Sequence, residues 1–187
     1  MAKVKLNPVM EKMSGRIGDL VFRRYEGEVV VARKADTSGR IPSANQLSQQ
    51  ERFRLAAVYA KAVLGDATQR VLYETAAKEK RKPAFALAVG DFLKAPTVDA
   101  IDLSAYTGPA GDKIIIRASD DIEVVSVTVA IRISEGGVLE QGAAVFEQGS
   151  WRYTAQTTQD LGSGLLAIDV TAVDRPGNKT VKTQVKG

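Results

Sequence analysis

Hydrophobic and polar positions along this chain follow two periods, and the change between them falls near Pro96. Beyond it, residues Glu123 to Ser134 alternate strictly. Val125, Val127, Val129, Ile131 and Ile133 share one side, and Ser126, Thr128, Ala130, Arg132 and Ser134 the other. That is the pattern of a strand with one face buried. Further strands are predicted at Lys113–Ala118, Val138–Phe146, Trp151–Gln156, Leu165–Val173 and Lys179–Val185. The turn signals Gly136-Gly137, Gly149-Ser150, Gly162-Ser163-Gly164 and Pro176-Gly177-Asn178 separate them. A first strand at Val98–Leu103 brings the set to about seven, the number in an immunoglobulin-type sandwich.

Before Pro96 the period is helical from Arg40 to Lys94. Ser43-Ala44-Asn45-Gln46 matches a capping box, in which the serine and glutamine side chains satisfy backbone donors at a helix start. Phe53, Ala56, Ala57, Ala60, Val63 and Leu64 then recur at spacings of three and four, and Gly65 ends the helix. Asp66 is placed to cap a second helix with Val71, Leu72, Thr75 and Ala76 on one face and the basic run Lys78–Lys82 at its end. Pro83 suits the first turn of a third, which carries Phe85, Ala88, Val89 and Phe92. The alanine-rich faces bury little area by themselves, so a hairpin is expected to complete their core.

That hairpin is predicted from Ile17, Leu20, Val21 and Phe22, then Val29, Val30 and Val31, joined through Arg23-Arg24-Tyr25-Glu26-Gly27. The fold class is therefore multidomain α+β. Residues 1–95 form a basic hairpin-plus-three-helix module with an N-terminal arm, and residues 96–187 form an all-β sandwich.

The last hairpin adds a resemblance. Ala172, Asp174, Gly177 and Asn178, between Leu166–Ala172 and Val181–Val185, resemble the closing turn of immunoglobulin-like modules of bacterial surface and phage proteins. The resemblance spans residues 98–187 and implies a display or attachment architecture without the disulfide of antibody domains. Ser14-Gly15-Arg16-Ile17-Gly18, a strand pair and Gln46 through Phe53 resemble uncharacterised bacterial proteins with glycine-punctuated hairpins before a helix, which implies no activity.

Charge sharpens the division. Residues 1–95 carry 18 Lys or Arg against 10 Asp or Glu, a net +8, whereas residues 96–187 carry 8 against 12, a net −4. Opposed charge steers either a polyanion or a second copy arranged head to tail; the plainer reading is solvation of both halves. The apolar runs are far shorter than the roughly 20 residues that span a bilayer, and no secretory signal is recognisable at the start, so no membrane insertion and a cytoplasmic or particle-associated location are expected.

The 187 residues include no histidine and no cysteine. Zinc sites of the usual kind and Ser-His-Asp or Cys-His catalysis are thereby excluded. Asp120, Asp121 and Glu123, with Asp174 and Asn178, are a candidate calcium cluster, but adjacent aspartates lack the spaced oxygens of a wrapping loop, and a solvated turn is the plainer reading. No cofactor, metal or catalytic residue is assigned.

The expectation is a non-enzymatic structural protein that self-assembles as a homo-oligomer, for instance a subunit of a phage-like particle, sheath or filament. Its candidate interface is Val4, Leu6 and Val9 of the arm with Val29, Val30 and Val31 of the hairpin, because an exposed strand edge is a template for another chain. One alternative is a module that binds carbohydrate or protein, favoured if Trp151 and Tyr153 are exposed. Another is nucleic-acid packaging through Arg23, Arg24, Arg33, Lys34, Lys80, Arg81 and Lys82, with Tyr25 or Tyr73 for stacking. Glu26, Glu28, Glu74 and Glu79 interrupt those basic clusters.

Overall fold

In the computed structural model the described residues are 2–3, 14–25, 28–36, 38–39, 41–133, 136–159 and 165–186. They fall into two compact units, Met1–Ala44 and Asn45–Gly187. This division differs from the change of period at Pro96: the helices share a unit with the strands that follow them.

In the first unit, β1 (Ala2–Lys3), β2 (Gly15–Ile17), β3 (Leu20–Tyr25) and β4 (Glu28–Arg33) form an antiparallel sheet in the order β1-β4-β3-β2. Gly18, with φ +57°, sits in the tight turn between β2 and β3, where a left-handed backbone favours glycine. Arg23, Arg24 and Tyr25, expected in a connection, belong to β3 opposite Val30, Val29 and Glu28. Their continuity with Leu20-Val21-Phe22 and the ladder they complete outweigh the turn signal.

The second unit opens with α1 (Ala44–Gly65), α2 (Ala67–Lys80) and α3 (Ala84–Leu93). Asp66 caps α2 as expected, its carboxylate accepting from the Thr68 and Gln69 N–H groups at 2.8 and 3.0 Å. Arg81 ends α2 in the left-handed conformation, and Pro83 stands just before α3. The buried stripe of α1 is Ala56, Ala60 and Val63, while Phe53 is exposed. On α2 the expected face is wrong: Val71 and Leu72 are exposed and the buried residue is Tyr73. Its ring fills the space left by the small residues of α1, and its hydroxyl finds buried partners. Leu87, Ala88 and Val89 of α3 close this core, and Ile122, from the strand half, packs against it.

The strand half holds β5 (Thr97–Asp102), β6 (Lys113–Ser119), β7 (Val124–Ile133), β8 (Val138–Ala143), β9 (Val145–Glu147), β10 (Ser150–Thr154), β11 (Leu166–Asp174) and β12 (Lys179–Lys186). Two antiparallel four-stranded sheets result, ordered β5-β6-β10-β9 and β12-β11-β7-β8. Val127, Val129 and Ile131 of β7, with Ile168 and Val170 of β11, meet Ile114 and Ile116 of β6 in one core. Each such side chain contributes roughly 1.5–3 kcal/mol by leaving water. The alternation read along β7 holds in the middle, but Val125 and Ile133 lie at its ends and are exposed. The strand predicted over Val138–Phe146 divides at Ala144, whose N–H donates to the Val127 carbonyl at 2.8 Å, so β8 and β9 are one run of chain serving both sheets.

Candidate functional site

Two polar clusters shape the second unit. The first joins the helices to the sheets. Tyr73 donates to Asp91 Oδ2 at 2.6 Å, and the Tyr59 and Tyr73 hydroxyls lie 2.8 Å apart. Asp91 is fully buried and its Oδ1 has no hydrogen-bond partner. Burial pushes its pKa up to about 7, against the Tyr73 hydrogen bond and with the help of Asp120 and Asp174. Asn178, in the turn between β11 and β12, shares its amide hydrogens among the Asp91, Phe92 and Lys94 carbonyls at 3.2, 3.3 and 2.9 Å, and Asp174. These are carbonyls that a helix end leaves without partners of its own.

The acidic loop Asp120–Glu123 serves the same junction. Asp121 meets Lys94 at 2.8 Å and Lys80 at 3.8 Å, and these lysines hold its carboxyl below the usual range. Asp120 accepts from the Ile122 and Glu123 N–H groups, Glu123 pairs with Arg175, and Asp174 accepts from the Gly177 and Asn178 N–H groups. The candidate calcium cluster is thus dispersed over separate partners. Among the described residues no group of acidic side chains could hold a metal ion.

The second cluster centres on Glu140 of β8. It accepts from the Tyr153 hydroxyl, the Gln156 and Thr157 N–H groups and the Thr157 hydroxyl. Burial raises its pKa, but these donors together outweigh burial and hold it below the usual value. Tyr153, whose exposure would have favoured a ligand-binding module, is buried here, and a Cβ at Gly142 would lie 2.8 Å from its ring.

Trp151 behaves differently. It is half-buried at the rim of the sheet core, and its ring lies 5.2 Å from that of Phe146, which is 58% exposed. Val124, Val125, Ile122, Asp120 and Glu123 help to line an open groove of about 360 Å³ there. On this flank β8 and β9 are the terminal strands of their sheets, with Val138, Leu139, Val145 and Phe146 exposed. On the opposite flank Lys182 of β12 donates to the Val98 and Asp99 carbonyls at 3.0 and 2.9 Å, and Lys186 to that of Leu103 at 3.5 Å. Lysine protects that edge from pairing, and β9, three residues long, ends in exposed Glu147, which pairs with Arg152 at 2.8 Å.

The candidate interface residues are only partly brought together. Val4, Leu6 and Val9 lie outside the described residues. Val29 is buried, Val30 and Val31 are half-buried, and Lys3 and Ala2 pair with the last two. One edge of β4, the strand that holds the hairpin's three candidate valines, is therefore occupied there by β1. Of the polyanion candidates, Arg23, Arg24, Arg33 and Lys34 are exposed in the first unit. Adjacent Arg23 and Arg24 point to opposite faces of β3, which splits their charge. Lys80 is tied to Asp121, while Arg81 and Lys82 are exposed at the end of α2. Tyr25 is exposed, but buried Tyr73 offers no face for stacking. No helix among the described residues is long and apolar enough to cross a membrane.

No family model and no curated protein matches this chain. A solved structure it is similar to is the 1.98 Å crystal structure of an engineered protein, at 21% identity and a TM-score of 0.37. The match covers 48% of this chain and 19% of that one.

Sequence reasoning missed Asp91, Tyr59 and Phe146. The first had a signal: Asp91 is the lone charge in the otherwise apolar Ala84–Leu93. A carboxyl in such a stripe is either a solvent-side residue or a buried one with a dedicated donor.

Proposed function

We propose that this chain is a non-enzymatic structural subunit that self-associates by strand exchange, a component of a particle, sheath or filament, with residues 96–187 acting as an immunoglobulin-like module. The observation that carries the reading is the pairing of Ala2–Lys3 with Val31 and Val30. The start of the chain already serves as an added strand. A strand that completes its own β4 completes a neighbour's by the same backbone bonds, and such exchange between identical chains proceeds head to tail.

Two further features support it. The first unit is a small sheet that leaves Ile17, Leu20 and Tyr25 exposed, apolar surface that a neighbouring chain can cover. The perturbed carboxyls of the second unit are engaged in structure: Asp91 within the helix junction, Glu140 with donors on both oxygens. Size-exclusion chromatography with light scattering tests the reading on the full chain and on a variant lacking residues 1–13. The expected result is a multimer for the first and a lower mass for the second. Monomers in both cases at high concentration would remove it.

A further inference from the structure

A chain of hydrogen bonds crosses the junction of helices and sheets, and two acceptors stand face to face in its middle. Tyr73 donates to Asp91 Oδ2 at 2.6 Å, so in the 2.8 Å contact of the tyrosine hydroxyls Tyr59 is the donor and Tyr73 the acceptor. At the far end Asp120 Oδ2 accepts from the Ile122 and Glu123 N–H groups at 3.1 and 3.2 Å. Between these ends lies Asp91 Oδ1, fully buried and without a donor, with the Asp120 side chain within hydrogen-bonding reach. Two carboxylates are both acceptors, and only a protonated one can donate to the other.

We propose that a proton carried by Asp91 and donated to Asp120 is the latch that fastens α3 to the loop between β6 and β7, and that its loss opens this junction locally while the two-sheet core stays folded. The inference goes beyond the self-association reading and does not depend on it.

The surroundings select a proton as what joins the pair. No acidic group among the described residues could hold a metal ion. The nearby cations are engaged elsewhere, Lys80 and Lys94 by Asp121 and Arg175 by Glu123 at 2.5 Å. The other titratable groups that face Asp91 are Tyr59 from α1, Tyr73 from α2 and Asp174 from the end of β11. Burial raises both tyrosines, which stay neutral, and Asp174 adds negative charge. Burial, with Asp120 and Asp174, lifts the Asp91 pKa to about 7, so the proton is held through the weakly acidic range. When it leaves to water, the Oδ1–H bond breaks and two carboxylates are left opposed in a site closed to solvent. Opening returns Asp91 to water and to its ordinary value of 3.8. Between that value and about 7 each pH unit then favours the open form by about tenfold, and above it the effect is level. The sheet core has no part in this: Val127, Val129, Ile131, Ile168 and Val170 pack there as apolar side chains.

The test is hydrogen–deuterium exchange of the full chain from pH 5 to pH 8, corrected for the intrinsic rate at each pH, with infrared spectra taken in parallel. It compares the parent with Asp91→Asn and Asp120→Asn. In the parent a protonated-carboxyl C=O band is expected that disappears near pH 7 and is missing from Asp91→Asn. Protection of the α3 amides should fall about tenfold per pH unit up to pH 7, starting below the protection of β7 and β11, because a local opening needs less free energy than global unfolding. In Asp120→Asn the new amide donates to Asp91 whichever form Asp91 takes, so the band and the fall in protection should both move to lower pH. This second variant keeps the test standing should Asp91→Asn fail to fold. A parent without the band at pH 5 overturns the latch. An Asp120→Asn chain that titrates and exchanges as the parent does overturns Asp120 as the partner, and α3 amides as protected as those of β7 and β11 overturn the local opening.

Discussion

A carboxyl group whose pKa climbs to about 7 on folding holds a proton that the unfolded chain would release at far lower pH. Asp91 is that group, raised chiefly by burial, with Asp120 and Asp174 adding repulsion and the Tyr73 hydrogen bond opposing it. Tyr59 and Tyr73 face it from α1 and α2, and their own pKa values are raised by burial, so they stay neutral across this range. Between the ordinary aspartate value of 3.8 and about 7 the native state binds the extra proton. Stability contributed at this site therefore falls as pH rises through that window and is level above it, by on the order of 4 kcal/mol in all. Asp91→Asn removes the titration. Urea unfolding at a series of pH values should show the variant gaining on the parent from pH 4 to pH 7 and holding a constant difference beyond. Parallel curves would mean that Asp91 does not titrate there. At the acid end the sign reverses: Asp121 and Asp169, held low by Lys94 and Arg132, lose their contributions as pH drops below the usual carboxylate range. None of this was legible from spacing, because Asp91 meets Tyr73 and Asp120 only after three elements have packed.

At the scale of elements, local signals told most where the chain resolves its own polar groups. Asp66 before Ala67–Lys80 is such a case, and Asp66→Ala should cost about 1 kcal/mol in chemical denaturation, from loss of the Thr68 and Gln69 bonds. The strands of the second half were visible for the same reason: alternation is a one-dimensional property, and Val127, Val129 and Ile131 carry it plainly. The buried faces of the helices were less so. Apolar Val71 and Leu72 match a stripe by spacing, yet Tyr73 is the residue the neighbours cover. Periodicity scores a tyrosine as intermediate, and only the hydroxyl's partners on α1 and α3 decide its side. The division of Val138–Phe146 at Ala144 was invisible, since a continuous extended run does not say that its two ends belong to different sheets.

For the molecule as a whole, charge and period pointed to a boundary at Pro96, where the described structure draws helices and sheets into one unit. The reason lies in the junction: Asn178 on the α3 carbonyls, Lys80 and Lys94 on Asp121, and Ile122 in the helical core. Composition records none of these pairings. They predict that residues 45–187 fold as a stable fragment, while residues 96–187 alone unfold at lower denaturant because Ile122 and Asn178 lose their partners. Urea titration of the two fragments checks this, and equal midpoints would show the junction to be energetically idle. The arm was read as a strand donor through Val4, Leu6 and Val9, which lie outside the described residues, while Ala2–Lys3 of the same segment pair with β4 of their own sheet.

The single run of chain through Ala144 has a mechanical consequence. Tension applied to one sheet cannot slide it past the other without first tearing the Ala144–Val127 bond and dragging β8 away from β7. The two-sheet half pulled lengthwise would resist as one body up to a threshold and then yield abruptly at that stitch.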